Sequence, residues 1–378
     1  MVGGGPGAGI AHVHRRAARL DGRFELVAGA FSRNPEAGRR MGQELGLDPG
    51  RVYADYDTMA RSEAGRPDGI ECVAIVTPNS SHAPASLAFL RAGIDVICDK
   101  PMALSLQEAL EVERAAIERG LLFALTHNYS ACPMVLEARH LVQTGAIGAV
   151  RVVTVEYAHG TRNRLLEAEG DAKLAWRVDP AVAGPSTVLG DIGSHAHHLM
   201  RRITGLEVES LSAELATLVP GRRADDDAHV SMRLAGGARG RLWASMVAAG
   251  NGHGLRIRVF GETGSLHWDQ EEPDQLHLRA DGAPYRLLRR GEAYLCEAAR
   301  QASRTKAGNP EGYFGAFANV YADAAEVICA RRDGRAPGPH AHSFASARDG
   351  VLAMRFIEAA VDSSRRGGAW VDARLPSH

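Results

Sequence analysis

The sequence predicts an α/β domain built on a parallel sheet, followed by a domain built on a sheet with one half-buried face. Three observations carry this expectation. Short apolar runs alternate with helix-like stretches from Phe24 to Val142. Segments of the second half alternate strictly between apolar and polar residues, and a glycine run stands just ahead of the first helix-like stretch. At 378 residues the chain has the length of two domains of about 100–200 residues each.

Composition narrows the class. With 45% hydrophobic residues, 24% charged residues and a net charge of -1, the chain lacks the electrostatic footprint of a nucleic-acid or anionic-membrane binder, and neither is expected as a partner. No apolar run approaches the ~18 residues of a spanning helix. Met1 to Gly5 contains neither a basic nor an apolar targeting region, so a cytoplasmic location is expected. Cys72, Cys98, Cys132, Cys296 and Cys329 show no C-x-x-C spacing and mostly lie in apolar runs, which suits reduced, buried thiols. The histidines of His195-Ala196-His197-His198 have no cysteine or carboxylate pair at ligand spacing nearby, and no metal is expected.

The elements follow in order. Gly3-Gly4-Gly5-Pro6-Gly7-Ala8-Gly9 precedes a helix over Ile10 to Leu20, an arrangement that lets a backbone turn approach a pyrophosphate at a helix N-terminus. Gly3 and Gly5 fit the first two positions of a G-x-G-x-x-G fingerprint, and the third falls on Ala8, Gly9 or Ala11. Gly3, Gly5, Pro6, Gly7 and Ala8 are therefore candidate cofactor contacts. Only Met1 and Val2 precede the glycines, where a strand of about 5–6 residues is usual; the expectation is that the natural start lies upstream. Glu25 to Phe31 predicts a buried strand, and Pro35 to Leu45 a helix. At the end of that strand stands Ser32-Arg33-Asn34 rather than an acidic residue, which favours the 2′-phosphate of NADP over the ribose 2′-hydroxyl of NAD.

Ile70 to Val76 predicts the next strand, stopped by Thr77-Pro78-Asn79, and Ile94 to Cys98 another, closed by Pro101. Ser105-Leu106-Gln107-Glu108 is a capping box that opens a helix. Leu122 to Leu125 predicts a fourth strand, and Pro133 to Val142 a helix with Gly145 past its end. In a parallel sheet, ligands sit beyond the carboxyl ends of the strands, and there Thr77, Asn79, Asp99, Lys100, His127 and Asn128 collect. Lysine stands only at Lys100, Lys173 and Lys306; arginine fills every other basic position. A lysine at a strand end can give up its proton where an arginine cannot.

In the second half Val153 to Tyr157 and Leu255 to Val259 alternate with period 2. Arg241 to Val247 adds a strand whose two faces both carry apolar bulk. A face holding Trp243 and Val247 needs cover, so a homo-oligomer, dimer or tetramer, packed through this sheet is expected. Helices follow over Tyr313 to Arg331 and Phe344 to Ser363. Asp225-Asp226-Asp227 reads as a solvated turn.

Gly3-x-Gly5, Thr77-Pro78-Asn79 with His82, Asp99-Lys100-Pro101, Trp176-Arg177 with Asp179-Pro180, and Asp191-x-x-x-His195 stand in one order along the chain. In that combination the sequence resembles the glucose-fructose oxidoreductase/inositol dehydrogenase/rhizopine catabolism (Gfo/Idh/MocA) family. The resemblance implies a Rossmann domain and a second, α+β domain on a large open, mostly antiparallel sheet. On this chain they are expected over residues 1–147 and 148–343, with a C-terminal helix in 344–378 returning toward the first domain. It also implies NAD(P)-dependent oxidation of a secondary hydroxyl of a sugar, sugar derivative or cyclitol. The family's E-K-P lysine falls on Lys100, with Asp99 in place of glutamate, and its D-x-x-x-H pair on Asp191 and His195. Trp176 and Arg177 match a segment that lies against cofactor and substrate. His198 stands where aspartate is frequent, and Gly184-Pro185-Ser186 replaces a glycine run.

Such chemistry removes a hydride from carbon and a proton from oxygen, and a base near neutral pH must take the proton. His195 is expected to exchange it, Lys100 to hydrogen-bond the reacting oxygen and share the transfer, and Asp191 to orient substrate and histidine; either His195 or Lys100 is the base. Ser32, Arg33, Thr77, Pro78, Asn79, His82, Asp99, Lys100, Asn128, Trp176 and Arg177 complete the expected cofactor contacts. His197 and His198 read as structural or rim residues. Two other readings use the same fold: redox-neutral glycoside cleavage or epimerisation with tightly held NAD(P), and cofactor sensing without catalysis. Loops such as His159 to Ala172 are expected to select the substrate.

Overall fold

A computed structural model of the chain describes residues 1–169 and 176–376. The chain folds into two compact units, Met1–Asn128 with Phe317–Val351, and Tyr129–Ala316 with Leu352–His378.

The first unit is built on a five-stranded sheet. Strands β1 (Val2–Gly3), β2 (Cys72–Val76), β3 (Asp95–Cys98) and β4 (Phe123–Leu125) lie side by side and parallel. Val73, Ile75, Val96, Ile97, Ala124 and Leu125 are buried, as expected of a parallel sheet covered on both faces. The expected strand over Glu25 to Phe31 is largely replaced by irregular chain. Only Gly29 and Ala30 pair, Ala30 with Val2 and Gly29 with Val52, both parallel. Beside β1 the bonds run from Met1 N to Ala28 O at 2.8 Å, and from Ala30 N to Met1 O and Gly3 N to Ala30 O at 2.9 Å each. Leu26 still packs on the cluster of Met1, Ala11, Phe31, Met41 and Val76.

Local signals set the helix ends. Asn34 Oδ1 accepts from the amides of Glu36 and Ala37 at the head of helix Pro35–Glu44. Ser105 Oγ accepts from Glu108 N at 3.2 Å, while the Glu108 carboxylate accepts from Leu104 N at 2.8 Å, one residue before the cap. The last long helix begins at Ala347, not at Phe344. A second box causes this: the Asp349 carboxylate accepts from Ser346 N at 2.8 Å, which frees Ala345–Ser346 to pair antiparallel with β4.

Among the described residues the second unit carries nine strands: β5 (Val150–Ala158), β6 (Val208–Ala216), β7 (Asp227–Leu234), β8 (Arg239–Ser245), β9 (Gly254–Gly261), β10 (Gly264–Asp269), β11 (Gln275–Ala280), β12 (Arg286–Arg289) and a short strand Val371–Asp372 beside β6. Of these, β5 and β8 pair in parallel and the other neighbours antiparallel. Helix Ser194–Thr204 lies against β5, β8 and β9, and helix Pro133–Gln143 against β10 and β11.

Asp225 to Asp227 are not a solvated turn. Asp226 is buried and accepts from the amides of Leu218 and Val219 and from Arg222. Asp225 accepts from Val188 N, and Asp227 from the Trp243 indole. Arg222, itself buried, supplies the charge that makes burial of Asp226 tolerable. All five cysteines are free thiols; Cys98 and Cys132 are buried and the other three half-buried. Among the described residues no helix is long and apolar enough to cross a membrane.

Candidate active site

In the first unit the parallel strands deliver their carboxyl ends to one edge. The glycine turn follows β1, Thr77-Pro78-Asn79 follows β2, Asp99-Lys100 follows β3, and Thr126-His127-Asn128 follows β4. Gly3 and Gly4 have φ of +83° and +82°, and Gly7 has +80°. A Cβ on Gly3 would lie 2.8 Å from Val76 O, one on Gly4 2.5 Å from Ala11 Cβ, and one on Gly5 2.9 Å from Phe31 O. The turn is thus a cradle that side chains would fill. Gly9 has nothing within 4 Å of an added Cβ, so the small residue demanded after the two glycines is the fully buried Ala11, which lets helix Gly9–Leu20 close on the turn. Gly4, not singled out from the fingerprint, is as constrained as Gly3.

No side chain caps that helix. Among the described residues, the buried hydroxyl of Thr77 and the buried amide nitrogen of Asn128 have no hydrogen-bond partner. Cradle, uncapped helix and orphaned polar atoms fit a dinucleotide phosphate and its neighbouring groups. Pro6, Gly7 and Arg33 are exposed, and Ala8, Ser32, Pro78 and Asn79 half-buried. His82 is buried at this edge, with Nδ1 2.6 Å from Pro101 O and Nε2 2.9 Å from Thr77 O, so it ties the loop after β2 to the loop after β3.

Lys100 is half-buried, and the peptide joining it to Pro101 is cis. Its backbone N–H donates to Asp99 Oδ1 at 2.9 Å, where the Thr126 hydroxyl also donates at 2.9 Å. Beneath them His14 is fully buried, its Nε2 4.0 Å from Asp99 Oδ1 and its Nδ1 2.8 Å from the Tyr321 hydroxyl. Burial pushes the His14 pKa down, against the pull of the Asp99 carboxylate. No spacing rule links positions 14, 99 and 321, so the sequence carried no signal for this contact.

In the second unit Asp191 lies in a π-helical turn, Leu189–Gly193, that runs directly into helix Ser194–Thr204 with His195 in its first turn. Such turns concentrate at functional sites. A Cβ on Gly193 would lie 2.6 Å from Leu189 Cδ2. Ser186 Oγ accepts from Leu189 N at 3.2 Å, which shapes the approach after Gly184. Asp191 accepts from Arg162 Nη2 at 2.7 Å. Burial lowers the Arg162 pKa, with the Asp191 carboxylate opposing.

His195 is 7% exposed. Its ring meets Tyr129 edge-on at 5.0 Å between centroids and Tyr157 at 6.0 Å. The two tyrosine hydroxyls are 3.1 Å apart, and that of Tyr157 is 3.4 Å from His253 Nδ1. Burial pushes both tyrosines above their ordinary pKa. His159 is lowered to about 4, first by burial and then by His253. Tyr129, Tyr157 and His253 were not singled out from sequence, and His159 and Arg162 entered only as part of the His159 to Ala172 loop. Period 2 marked Tyr157 as a strand residue, and nothing in the pattern distinguished its tip.

His197 stacks on Phe356 at 4.3 Å, and His198 Nδ1 is 2.7 Å from Ser130 Oγ; both are buried packing residues. Arg177 lies over the Trp176 ring at 5.2 Å. The loop assigned to substrate selection, His159 to Ala172, leaves the described residues at Gly170. Among the described residues no group of three or more His, Cys, Asp or Glu is disposed to hold a metal ion.

Comparison with known proteins bears on both units. Residues 1–127 match the oxidoreductase family with an NAD-binding Rossmann fold, and residues 135–267 match the GFO/IDH/MocA C-terminal domain. An uncharacterized oxidoreductase of Bacillus subtilis, YfiI, is 36% identical over 98% of this chain and 95% of its own. Levoglucosan dehydrogenase of Pseudarthrobacter phenanthrenivorans is 28% identical over 69% of this chain and 70% of its own. The crystal structure of an inositol dehydrogenase homolog from Azotobacter vinelandii complexed with NAD+ superposes with a TM-score of 0.93 at 39% identity, covering 98% of this chain and 96% of that one.

Proposed function

This chain belongs to the GFO/IDH/MocA family of NAD-binding oxidoreductases, and from that premise we propose that it oxidises a secondary hydroxyl of a sugar, sugar derivative or cyclitol to the ketone, reversibly. The observation that supports this most is the succession of Asp191, whose carboxylate Arg162 holds, and the buried His195 along the π-helical turn and the first turn of the helix it enters. The relatives supply the substrate class: one is named for levoglucosan, an anhydrosugar, and another for inositol, a cyclitol.

In this proposal Gly3, Gly4, Gly5, Thr77 and Asn128 hold the dinucleotide, with Lys100 and Asp99 at its nicotinamide end. Bound there, NAD(P) supplies the hydride acceptor. The chain's own residues handle the proton. His195 takes it from the hydroxyl, Lys100 hydrogen-bonds the same oxygen and shares the transfer, and Asp191 orients His195 and the substrate. Asp191 keeps its own orientation because the Arg162 guanidinium occupies one carboxylate oxygen. The five free thiols suit a reduced, cytoplasmic setting.

Arg33 stands exposed after Ser32, with no carboxylate at the end of that segment, and on this we place NADP ahead of NAD. Reduced-nucleotide absorbance, followed with NAD and NADP against myo-inositol, levoglucosan and a panel of monosaccharides, tests the whole reading. Turnover with one of them is expected; turnover without net nucleotide reduction favours redox-neutral chemistry instead. Arg33→Ala should raise the KM for NADP about tenfold, about 1.4 kcal/mol, and leave that for NAD unchanged; equal effects on both refute the 2′-phosphate assignment.

The open face of the large sheet supports self-association. On it Glu156 stands opposite Trp243 and Arg256, and Thr154 opposite Arg241 and Arg258, with Val152 and Phe260 38–39% exposed. We expect a homodimer or homotetramer through this face. Sedimentation equilibrium should give a multiple of the 40.3 kDa chain, reduced by Phe260→Asp; a monomer at micromolar concentration rejects it.

A further inference from the structure

We propose that Tyr129, Tyr157 and His253 form a proton relay that carries the proton taken up by His195 out to solvent. The inference rests on the preceding reading, in which His195 receives the substrate's proton. A buried imidazole that accepts a proton must lose it before the next turnover, and His195 is only 7% exposed. The exit lies in what the rings around it touch. Tyr129 meets His195 edge-on, its hydroxyl is 3.1 Å from that of Tyr157, and Tyr157 in turn lies 3.4 Å from Nδ1 of His253. His253 is exposed, at the approach to β9.

Both tyrosines, their ionisation pushed up by burial, pass a proton without ever holding a charge. The His195 imidazolium gives its ring proton to the Tyr129 oxygen as Tyr129 gives its own to Tyr157. Tyr157 gives its own to His253 Nδ1, and His253 releases one from Nε2 to water. Every O–H or N–H bond broken is matched by one formed, and the exposed His253 ring regains its starting tautomer by exchange with solvent. The other titratable groups around the chain do not offer this route. His159, 5.5 Å from the His253 ring, has its Nδ1 on the Thr161 hydroxyl, and burial lowers its pKa to about 4. Asp191 is held by Arg162, and Glu271 takes the backbone N–H of His253. The Tyr313 ring lies 6.1 Å from that of Tyr129, tilted by 49°.

The test uses the full chain. In protein labelled with 15N-histidine and free of substrate, NMR should show His253 protonated at Nε2, with Nδ1 accepting from Tyr157, and Tyr157→Phe should remove that preference. In weakly buffered solution with NADP or NAD and the panel above, Tyr157→Phe should lower kcat about tenfold, at the modest end of what a positioned proton carrier contributes. It should also enlarge the solvent isotope effect, and added imidazole should restore the rate. His253→Ala, at an exposed position, should show the same rescuable loss. Wild-type kcat in both variants, or a His253 tautomer indifferent to Tyr157→Phe, overturns the relay alone. Failure of the wild-type chain to reduce either nucleotide with any of the panel overturns the dehydrogenase reading beneath it.

Discussion

Lys100→Arg should lower kcat by about 10²- to 10⁴-fold, the range that proton transfer by a positioned side chain supplies. Arginine preserves the charge at the end of β3 but does not release a proton in a protein, and its larger planar head cannot occupy the position of a compact ammonium. The neighbourhood should survive the change. Asp99 is held by the Lys100 backbone amide and the Thr126 hydroxyl, neither of which the substitution removes. Nucleotide affinity, read as the thermal shift with NADP, should therefore stay within about twofold while turnover collapses, the signature of an interaction made in the transition state. Wild-type turnover in Lys100→Arg ends the assignment of proton sharing to this residue.

The second large effect is expected at Gly3. An alanine there must adopt φ of +83° and bring Cβ to 2.8 Å from Val76 O, and that contact is backbone, which cannot swing aside. Relief requires β1 to move off β2, with which Gly3 pairs at Val76. Strained backbone of this kind costs about 1–3 kcal/mol, and displacement of the turn should abolish the thermal shift with either nucleotide. Gly9→Ala is the matched control. It lies six residues on, with free space around the added methyl, and should leave both melting temperature and nucleotide binding near wild type. If Gly3→Ala binds nucleotide as tightly as Gly9→Ala, the cradle is not the binding element.

Where local rules act, the elements were legible. Apolar runs placed β2, β3 and β4 within two residues, proline marked the ends of β2 and β3, period 2 located β5 and β9, and apolar bulk on both faces located β8 in the large sheet. Two local expectations failed because a neighbour decided the outcome. Glu25 to Phe31 has strand composition but finds only Val2 and Val52 to pair with, and the run at Phe344 looks helical but yields two residues to the edge of β4. The acids at Asp225 to Asp227 misled for a related reason. Charge runs are usually solvated, and only a buried Arg222 and two free amides reverse that preference.

By itself the sequence determined which residue types stand at the ends of which strands, and thereby that Gly3, Thr77, Lys100 and Asn128 share one edge of a parallel sheet. Alternation of strands and helices implies a parallel sheet, whose strands deliver their carboxyl ends to one edge. Tertiary structure alone decided the partners: His14 under Asp99, Arg162 on Asp191, and the hydroxyl chain from Tyr129 through Tyr157 to His253. Those contacts join residues far apart along the chain, and their energies depend on burial and on distances of a few ångströms that no periodicity encodes.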